Sequence, residues 1–239
     1  MKKVFHSQYG EDEILNEIFG KKKGFCIEVG GFDGVKHSNT YFFEKLGWQC
    51  IIIEPIPSCF DKILKNRKCQ SFNLALSDFT GVSEFYVAKS VEEISSFSPD
   101  IARFQSESTS DFEKIMVETT TLNSILEKSN FKPIDFITID VEGHEMNVLD
   151  GFDIEKYNPK IVIIEDNSNG KEFTVKNYLR KYGYTLFKRT GCNDWYTNDP
   201  KLYNFRELFF VKLIFLKYKL YHSTPLFLLR IYRRIKSFA

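Results

Sequence analysis

The sequence predicts an α/β fold in which helices cover both faces of a mostly parallel sheet. Strand-like apolar runs alternate with helix-like runs along most of the chain, as in sheets built from crossover units. The run CIIIEP at 50–55 is too uniformly apolar for a half-exposed sheet, so we expect a central parallel strand. The 239 residues and 43% hydrophobic content are enough for one such core.

The remaining elements follow from periodicity and capping signals. We expect further strands at 25–29, 70–75, 84–88, 134–140, 161–165, 184–188 and 194–198, and helices at 10–20, 38–46, 144–150 and 171–182. Two more helices are expected to begin at Ser58, with Asp61 as a capping-box acid, and after the cap Thr121. Residues 1–204 then form the main domain and residues 205–239 a separate tail.

Charge is distributed unevenly. The chain has a net charge of +1, but residues 205–239 contain eight Lys or Arg and one acid, a net charge of +7. Residues 1–204 are acidic on balance and offer no basic patch for nucleic-acid phosphates, so we expect no nucleic-acid partner. Five unpaired cysteines and the absence of a signal peptide predict a reducing, cytoplasmic location.

Two features indicate a nucleoside cofactor. The strand at 25–29 runs into a glycine loop with the spacing E-x-G-x-x-x-G from Glu28 through Gly30 to Gly34. Glycines there allow close backbone approach to a ligand, although an ordinary turn would look the same. The next strand ends at Glu54, an acid placed to accept hydrogen bonds from both ribose hydroxyls. A third acid, Asp78, lies either against the adenine or in an ordinary turn.

The densest group of ionisable side chains is the segment IDVEGHE at 139–145. Its acids Asp140, Glu142 and Glu145 repel one another unless a cation is near. The sulfonium of S-adenosylmethionine is one such cation. Mg²⁺ held by Asp140, Glu165 and Asp166 is another, because hard cations prefer oxygen ligands. His144 is either a base or merely a helix cap.

Ordered motifs over residues 7–198 resemble the FkbM methyltransferases. The resemblance runs from SQYGED through IEVGGFDGVKHSNT, GW and IEP to NLALSD, TTLNSIL, IDVEGHE and IVIIE. It implies a Rossmann-like class I methyltransferase fold with a seven-stranded sheet, the last strand antiparallel. It also implies an S-adenosylmethionine-dependent O-methyltransferase, with a sugar hydroxyl of a glycan, polysaccharide or glycolipid as the acceptor.

The resemblance also assigns residues. It implies a cofactor site formed by Gln8, Glu28, Gly30, Gly31, Asp33, Gly34, Ser38, Asn39, Thr40, Glu54, Ser77, Asp78 and Asp140. Methyl transfer to a sugar hydroxyl needs a base or an acidifying metal. We assign His144 as the base, with Asp140, Glu142 or Glu145 as alternatives. The aperiodic segment 89–118 departs from the family pattern and is interpreted as a lid or an acceptor-binding insertion.

Two other functions remain open at this stage. A nicotinamide-dependent oxidoreductase also needs a glycine loop and a ribose acid, but the glycine spacing differs from G-x-G-x-x-G and no hydride-transfer pair is evident. A non-catalytic module that only binds S-adenosylmethionine is the other alternative. Binding of S-adenosylmethionine but not of NAD would argue against the oxidoreductase. Formation of a methylated product would argue against the non-catalytic module.

The tail combines aromatic and aliphatic residues with Lys and Arg over 207–221 and 226–236, with a break at Thr224-Pro225. One interpretation is an ordinary terminal helix, with Leu208 to Leu216 packed on the sheet. The other is a basic amphipathic segment that lies on anionic lipid and makes the enzyme peripheral at the membrane.

Overall fold

The computed structural model describes residues 3–20, 22–88, 95–96, 112–128, 133–168 and 171–223. In these ranges a large sheet is surrounded by helices, and a smaller sheet lies beside it. The α/β, Rossmann-like fold class predicted from the sequence is confirmed.

The strands in chain order are β1 (Phe25–Val29), β2 (Gln49–Ile53), β3 (Gln70–Phe72), β4 (Ala75–Leu76), β5 (Gly81–Ala88), β6 (Ser95–Ser96), β7 (Phe112–Thr120), β8 (Phe136–Ile139), β9 (Ile161–Glu165), β10 (Thr185–Thr190) and β11 (Asn193–Thr197). The α-helices are α1 (Glu11–Phe19), α2 (Tyr41–Lys45), α3 (Pro57–Asn66), α4 (Leu122–Glu127), α5 (Glu145–Asp150), α6 (Ile154–Tyr157), α7 (Thr174–Lys181) and α8 (Phe205–Ser223).

The main sheet has seven strands in the order β10-β11-β9-β8-β1-β2-β3. The last strand, β11, is antiparallel to both of its neighbours, and the other adjacent pairs are parallel. From β1 the chain continues outward through β2 and β3, and later returns to β8 on the opposite side. This reversal is the switch point at which the carboxyl ends of parallel strands leave a crevice for ligands.

Strand burial explains why the sheet forms here. All five residues of β1 are buried, with Ile27 and Val29 in one apolar layer and Cys26 in the other, beside Trp48 and Phe136. Burying such a side chain contributes about 1.5–3 kcal/mol. The two layers fix the register of the strands, and the register sets which side chains reach the crevice.

The smaller sheet was not foreseen from the sequence. Its strand order is β4-β7-β5-β6, and β7 covers part of the segment that was interpreted as an aperiodic insertion. Ile115, Val117 and Thr119 are less exposed than the residues between them, which is the alternation of a strand. Residues 89–94 and 97–111 of that insertion lie outside the described residues, so its role as a lid stays a prediction.

Two capping predictions have different outcomes. The Thr121 side chain accepts a hydrogen bond from the Ser124 N–H at 3.1 Å, which confirms it as the cap of α4. The prediction of Ser58 as the start of α3 and of Asp61 as its capping acid is wrong. The helix begins at Pro57, and its cap position, Ile56, provides no side-chain hydrogen bond. Proline suits the first helical turn because that turn has a spare N–H.

The tail begins as α8, which packs on the main sheet. Val211 is buried, Leu208 and Phe215 are partly buried against the two core layers, and Lys188 of β10 pairs with Glu207 at 3.3 Å. No helix in the described ranges combines the length and the apolar character that a membrane crossing requires. Residues 224–239 lie outside the described residues.

Candidate active site

A cavity of about 490 Å³ opens at the carboxyl ends of β1, β2, β8 and β9. This volume is within the usual range for small-molecule sites. The cavity brings together many of the residues that the sequence predicted, and its walls are built by strand ends and the loops that follow them. The predicted residues that line it are Gln8, Glu28, Gly30, Gly31, Ser38, Asn39, Glu54, Asp140, Glu142 and Glu165.

Gly30 is the point where the loop after β1 passes the end of β8. It has φ +84°, and a Cβ added there would lie 1.8 Å from the Asp140 carbonyl oxygen. Any side chain would therefore push the two strand ends apart. This close approach places the Asp140 carboxylate next to the glycine loop.

Glu28 connects the glycine loop to the segment before α2. Its carboxylate accepts hydrogen bonds from the Ser38 hydroxyl at 2.7 Å, the Asn39 N–H at 2.7 Å and the Thr40 hydroxyl at 2.5 Å. Glu28 is only 3% exposed, and these bonds compensate for the free-energy cost of burying its carboxylate. Ser38, Asn39 and Thr40 thus act first as partners of Glu28, and the Thr40 side chain does not reach the cavity.

Arg67 is a residue of this site that sequence reasoning missed. Its buried guanidinium donates to the Gly34 carbonyl and the Thr40 hydroxyl, both at 2.9 Å, and pairs with Glu28 at 3.4 Å and with Glu44. Burial alone would lower the pKa of Arg67, but Glu28 and Glu44 outweigh it and raise the pKa. No sequence motif marks the residue, because its partners come from three distant segments.

We expect Arg67→Met to lower the free energy of unfolding by about 3–5 kcal/mol, because it leaves Glu28 buried without its cation. Urea denaturation measures this loss. The control is Lys68→Met, whose side chain is exposed and which should change stability by about 0.5 kcal/mol or less. Equal effects of the two substitutions would show that the buried pair is not structural.

The Glu54 carboxylate also accepts hydrogen bonds from the backbone. It is 5% exposed, and its two oxygens accept the N–H groups of Phe32 and Ile56, each at 2.9 Å. A carboxylate has about four acceptor positions, so it retains capacity for the two hydroxyls of a ribose. The predicted ribose contact is therefore compatible with the geometry.

Two observations test whether S-adenosylmethionine fits this cavity. The buried Oδ1 of Asn39 has no hydrogen-bond partner among the described residues, and Asn39 lines the cavity. An amide acceptor of this kind suits the ammonium of an amino-acid moiety. At the other side of the glycine loop the lining is apolar, with Phe32, Ile56, Leu74 and Phe85, which suits an adenine ring.

Three carboxylates of the cavity lining lie close together. One oxygen from each of Asp140, Glu142 and Glu165 lies within 4.8 Å of the others. Asp140 is accessible from the cavity, yet protein surrounds it, and this desolvation together with Glu142 and Glu145 raises its pKa. Desolvation and the charge of Asp140 likewise raise the pKa of Glu165. The group therefore favours either a bound proton or a bound cation.

The predicted magnesium ligands need one correction. Asp166 does not join Asp140 and Glu165, because its carboxylate pairs with Arg189 at 3.0 Å. Glu142 takes its place in the acidic group. Glu142 has φ +51°, a left-handed conformation that is uncommon for a residue with a side chain. The sequence did not predict this left-handed turn at Glu142.

Several predicted cofactor residues lie away from the cavity. Asp33 accepts the N–H groups of Val35 and Lys36 and shapes the loop, and Gly34 contributes its carbonyl to Arg67. The exposed carboxylate of Asp78 accepts a hydrogen bond from the buried Ser77 hydroxyl at 2.9 Å. The residues outside the cavity lining are Asp33, Gly34, Thr40, Ser77 and Asp78.

His144 and Glu145 also lie outside the cavity lining. The His144 Nε2 is 3.1 Å from the Ser77 hydroxyl, and burial lowers the pKa of its imidazole, partly offset by Asp78. Glu145 accepts the Gly143 N–H at 3.0 Å, so it stabilises the start of α5. The geometry therefore favours Asp140 and Glu142, with Glu165, over the assigned base.

Other cavity residues were missed because nothing in their local sequence marks them. Tyr9 comes from the loop before α1, Asn167 follows β9, Cys192 lies in the turn between β10 and β11, and Asn193 begins β11. Their position depends on which strands are neighbours in the sheet. Only the SQYGED segment carried a signal, through the resemblance.

The chain is similar in sequence to known methyltransferases. A family model described as the methyltransferase FkbM domain matches residues 28–186. The chain is 25% identical over 203 residues to Methyltransferase 1 of Beauveria bassiana (strain ARSEF 2860), covering 75% of this chain and 78% of that protein.

Two solved structures are similar at a lower level. One is the precorrin-6y C5,15-methyltransferase of Geobacter metallireducens GS-15, with a TM-score of 0.40, 10% identity and coverage of 82% and 89% of the two chains. The other is the tRNA (uracil-54, C5)-methyltransferase of Pyrococcus abyssi in complex with S-adenosyl-L-homocysteine, with a TM-score of 0.38, 8% identity and coverage of 82% and 40%.

The family match includes the glycine loop, Glu54 and the acidic group, and it contains most of the residues that line the cavity. On that match, this chain belongs to the FkbM methyltransferase domain family and is a methyltransferase.

Proposed function

We propose that the protein is an S-adenosylmethionine-dependent O-methyltransferase and that its acceptor is a sugar hydroxyl of a glycan, polysaccharide or glycolipid. The observation that carries the proposal is the group of Asp140, Glu142 and Glu165 beside the glycine loop. Bound S-adenosylmethionine supplies a methyl carbon made electrophilic by a positive sulfonium. Three carboxylates at that position compensate such a charge without a bound metal.

The residues of the cavity divide into three parts in this proposal. Glu54 would accept hydrogen bonds from the ribose, and Phe32 and Phe85 would flank the adenine. The amide oxygen of Asn39 would accept from the ammonium group. Gly30 keeps this side of the cavity free of side chains, so that the Asp140 carboxylate reaches the reacting atoms.

Asp140 is the proposed base. A hydroxyl loses its proton as it attacks, and a base with a pKa near the working pH accepts that proton most efficiently. Desolvation and neighbouring acids raise the pKa of Asp140 from the usual carboxyl range, which is the required direction.

The exposed polar residues of the cavity lining support a hydroxyl-rich acceptor. Gln8 and Asn167 are exposed residues of the cavity lining, and their amide groups both donate and accept hydrogen bonds. Tyr9 lines the same cavity and is 44% exposed, and an exposed ring can pack on the apolar face of a sugar. Neutral donors and an aromatic surface suit a sugar better than a strongly charged acceptor.

A divalent cation at Asp140, Glu142 and Glu165 is the second candidate for the same position. Mg²⁺ would acidify the acceptor hydroxyl directly, so that no protein base is needed. The two accounts differ in one respect that is easily measured. Only the magnesium account requires a cation that a chelator removes.

We expect mass spectrometry to detect a gain of one methyl group on a glycan or glycolipid when the protein is incubated with S-adenosylmethionine and that acceptor. A panel of free sugars, oligosaccharides and lipid extracts provides the acceptors. Activity that persists after exhaustive chelation excludes the magnesium account. Binding of S-adenosylmethionine with no methylated product from any class would support the non-catalytic module instead.

A further inference from the structure

α8 is apolar on two opposite faces. Val211, Leu208 and Phe215 lie on the face that packs against the sheet layers. The opposite face carries five large apolar side chains in the described part of the helix. These are Phe205, Phe209, Phe210, Leu213 and Leu216, which are 80%, 50%, 63%, 41% and 50% exposed.

In the described part of the helix, this distribution differs from the predicted basic amphipathic segment. An amphipathic surface helix turns its polar face to water. Here the packed face and the face directed away from the sheet are both apolar. The second face, which we call the outer face of α8, is defined by Phe205, Phe209, Phe210, Leu213 and Leu216. Exposed apolar groups of this kind mark sites of protein or membrane contact.

The charge of the tail favours a membrane over a protein as the partner of the outer face. Arg206 and Lys212 are exposed on the same helix, and residues 205–239 contain eight basic residues against the single acid Glu207. Glu207 is itself paired with Lys188. A second copy of the chain would bring the same positive charge to the contact, so like charges would oppose a dimer at this face. An anionic surface is complementary to it.

We infer that the outer face of α8 binds the interface of an anionic lipid bilayer. Aromatic and aliphatic side chains insert at the level of the headgroups and acyl chains, and the basic residues contact acidic lipid headgroups. Each Lys or Arg near such a surface adds about 1 kcal/mol of attraction. This inference does not depend on the identity of the methyl acceptor.

Vesicle flotation tests the inference on the full-length protein. We expect the protein to float with vesicles of phosphatidylcholine and phosphatidylserine and to remain in solution with phosphatidylcholine alone. The double variant Phe209→Ser/Phe210→Ser should lower the floated fraction by about ten-fold or more, since two large apolar groups are lost. Arg206→Glu/Lys212→Glu should lower it by a similar factor through charge.

The matched control is Phe79→Ser/Met116→Ser, which removes two apolar side chains of comparable exposure, 46% and 63%, from another surface. This control should float like the unchanged protein. The inference is overturned if the unchanged protein does not float, if it floats equally with both vesicles, or if the outer-face variant and the control behave alike. Light scattering that shows a dimer, converted to a monomer by Phe209→Ser/Phe210→Ser, would assign the face to a second copy.

Discussion

Replacing Glu54 by alanine weakens binding of S-adenosylhomocysteine by more than about ten-fold, because the change removes the proposed ribose acceptor and frees two backbone N–H groups of the cavity wall. Those groups belong to Phe32 and Ile56, so the loop on the proposed adenine side loosens as well. Calorimetry with purified protein measures the affinity. We also expect a lower melting temperature, since each unsatisfied buried group costs about 1–3 kcal/mol.

Asp78→Ala is the matched control for that experiment. The family resemblance assigns Asp78 to the adenine, but the structure has it exposed and outside the cavity lining. Its removal should leave the affinity for S-adenosylhomocysteine within about two-fold, a change comparable to that of a neutral surface substitution. If Glu54→Ala binds as tightly as the unchanged protein while Asp78→Ala does not, the cavity assignment is wrong and the resemblance-based role of Asp78 is right.

Asp140→Asn is expected to lower the turnover number by about a hundred-fold or more, the usual contribution of a positioned base. The affinity for S-adenosylhomocysteine should change little. Because the active form of the base is deprotonated and its pKa is raised, activity of the unchanged enzyme should increase with pH through the raised pKa. Asp140→Asn should lose that pH-dependent rise, which a loss of folding alone would not do.

His144→Ala is the comparison for Asp140→Asn. Its imidazole contacts Ser77 outside the cavity lining, so turnover should fall only a few-fold. A loss as large as that of Asp140→Asn, with unchanged cofactor affinity, would restore His144 as the base and contradict the geometric assignment.

The sheet was predictable because its strands are buried on both faces. The run CIII at 50–53 has no charged or strongly polar residue that would allow another environment. The residues at strand ends, Gly30, Glu54 and Asp140, were predictable for the related reason that parallel strands deliver their carboxyl ends to one edge. β7 was missed even though Ile115, Val117 and Thr119 alternate, because the long polar stretch before them hid the period.

Side-chain direction after a strand was much harder to predict. The backbone of Glu142 and Gly143 is left-handed, with φ +51° and +90°, and this turn precedes His144, whose side chain contacts Ser77. A pattern of residue types does not encode that rotation. Arg67 was missed for a different reason, since it joins Glu28 to Glu44 across the fold and has no local signature.

The central claim is that this cavity holds S-adenosylmethionine, and calorimetric titration with S-adenosylhomocysteine and with NAD tests it most directly. The account predicts saturable one-to-one binding of S-adenosylhomocysteine that Glu54→Ala weakens, and no measurable heat with NAD. Binding of NAD in place of S-adenosylhomocysteine, or binding of neither, would contradict it.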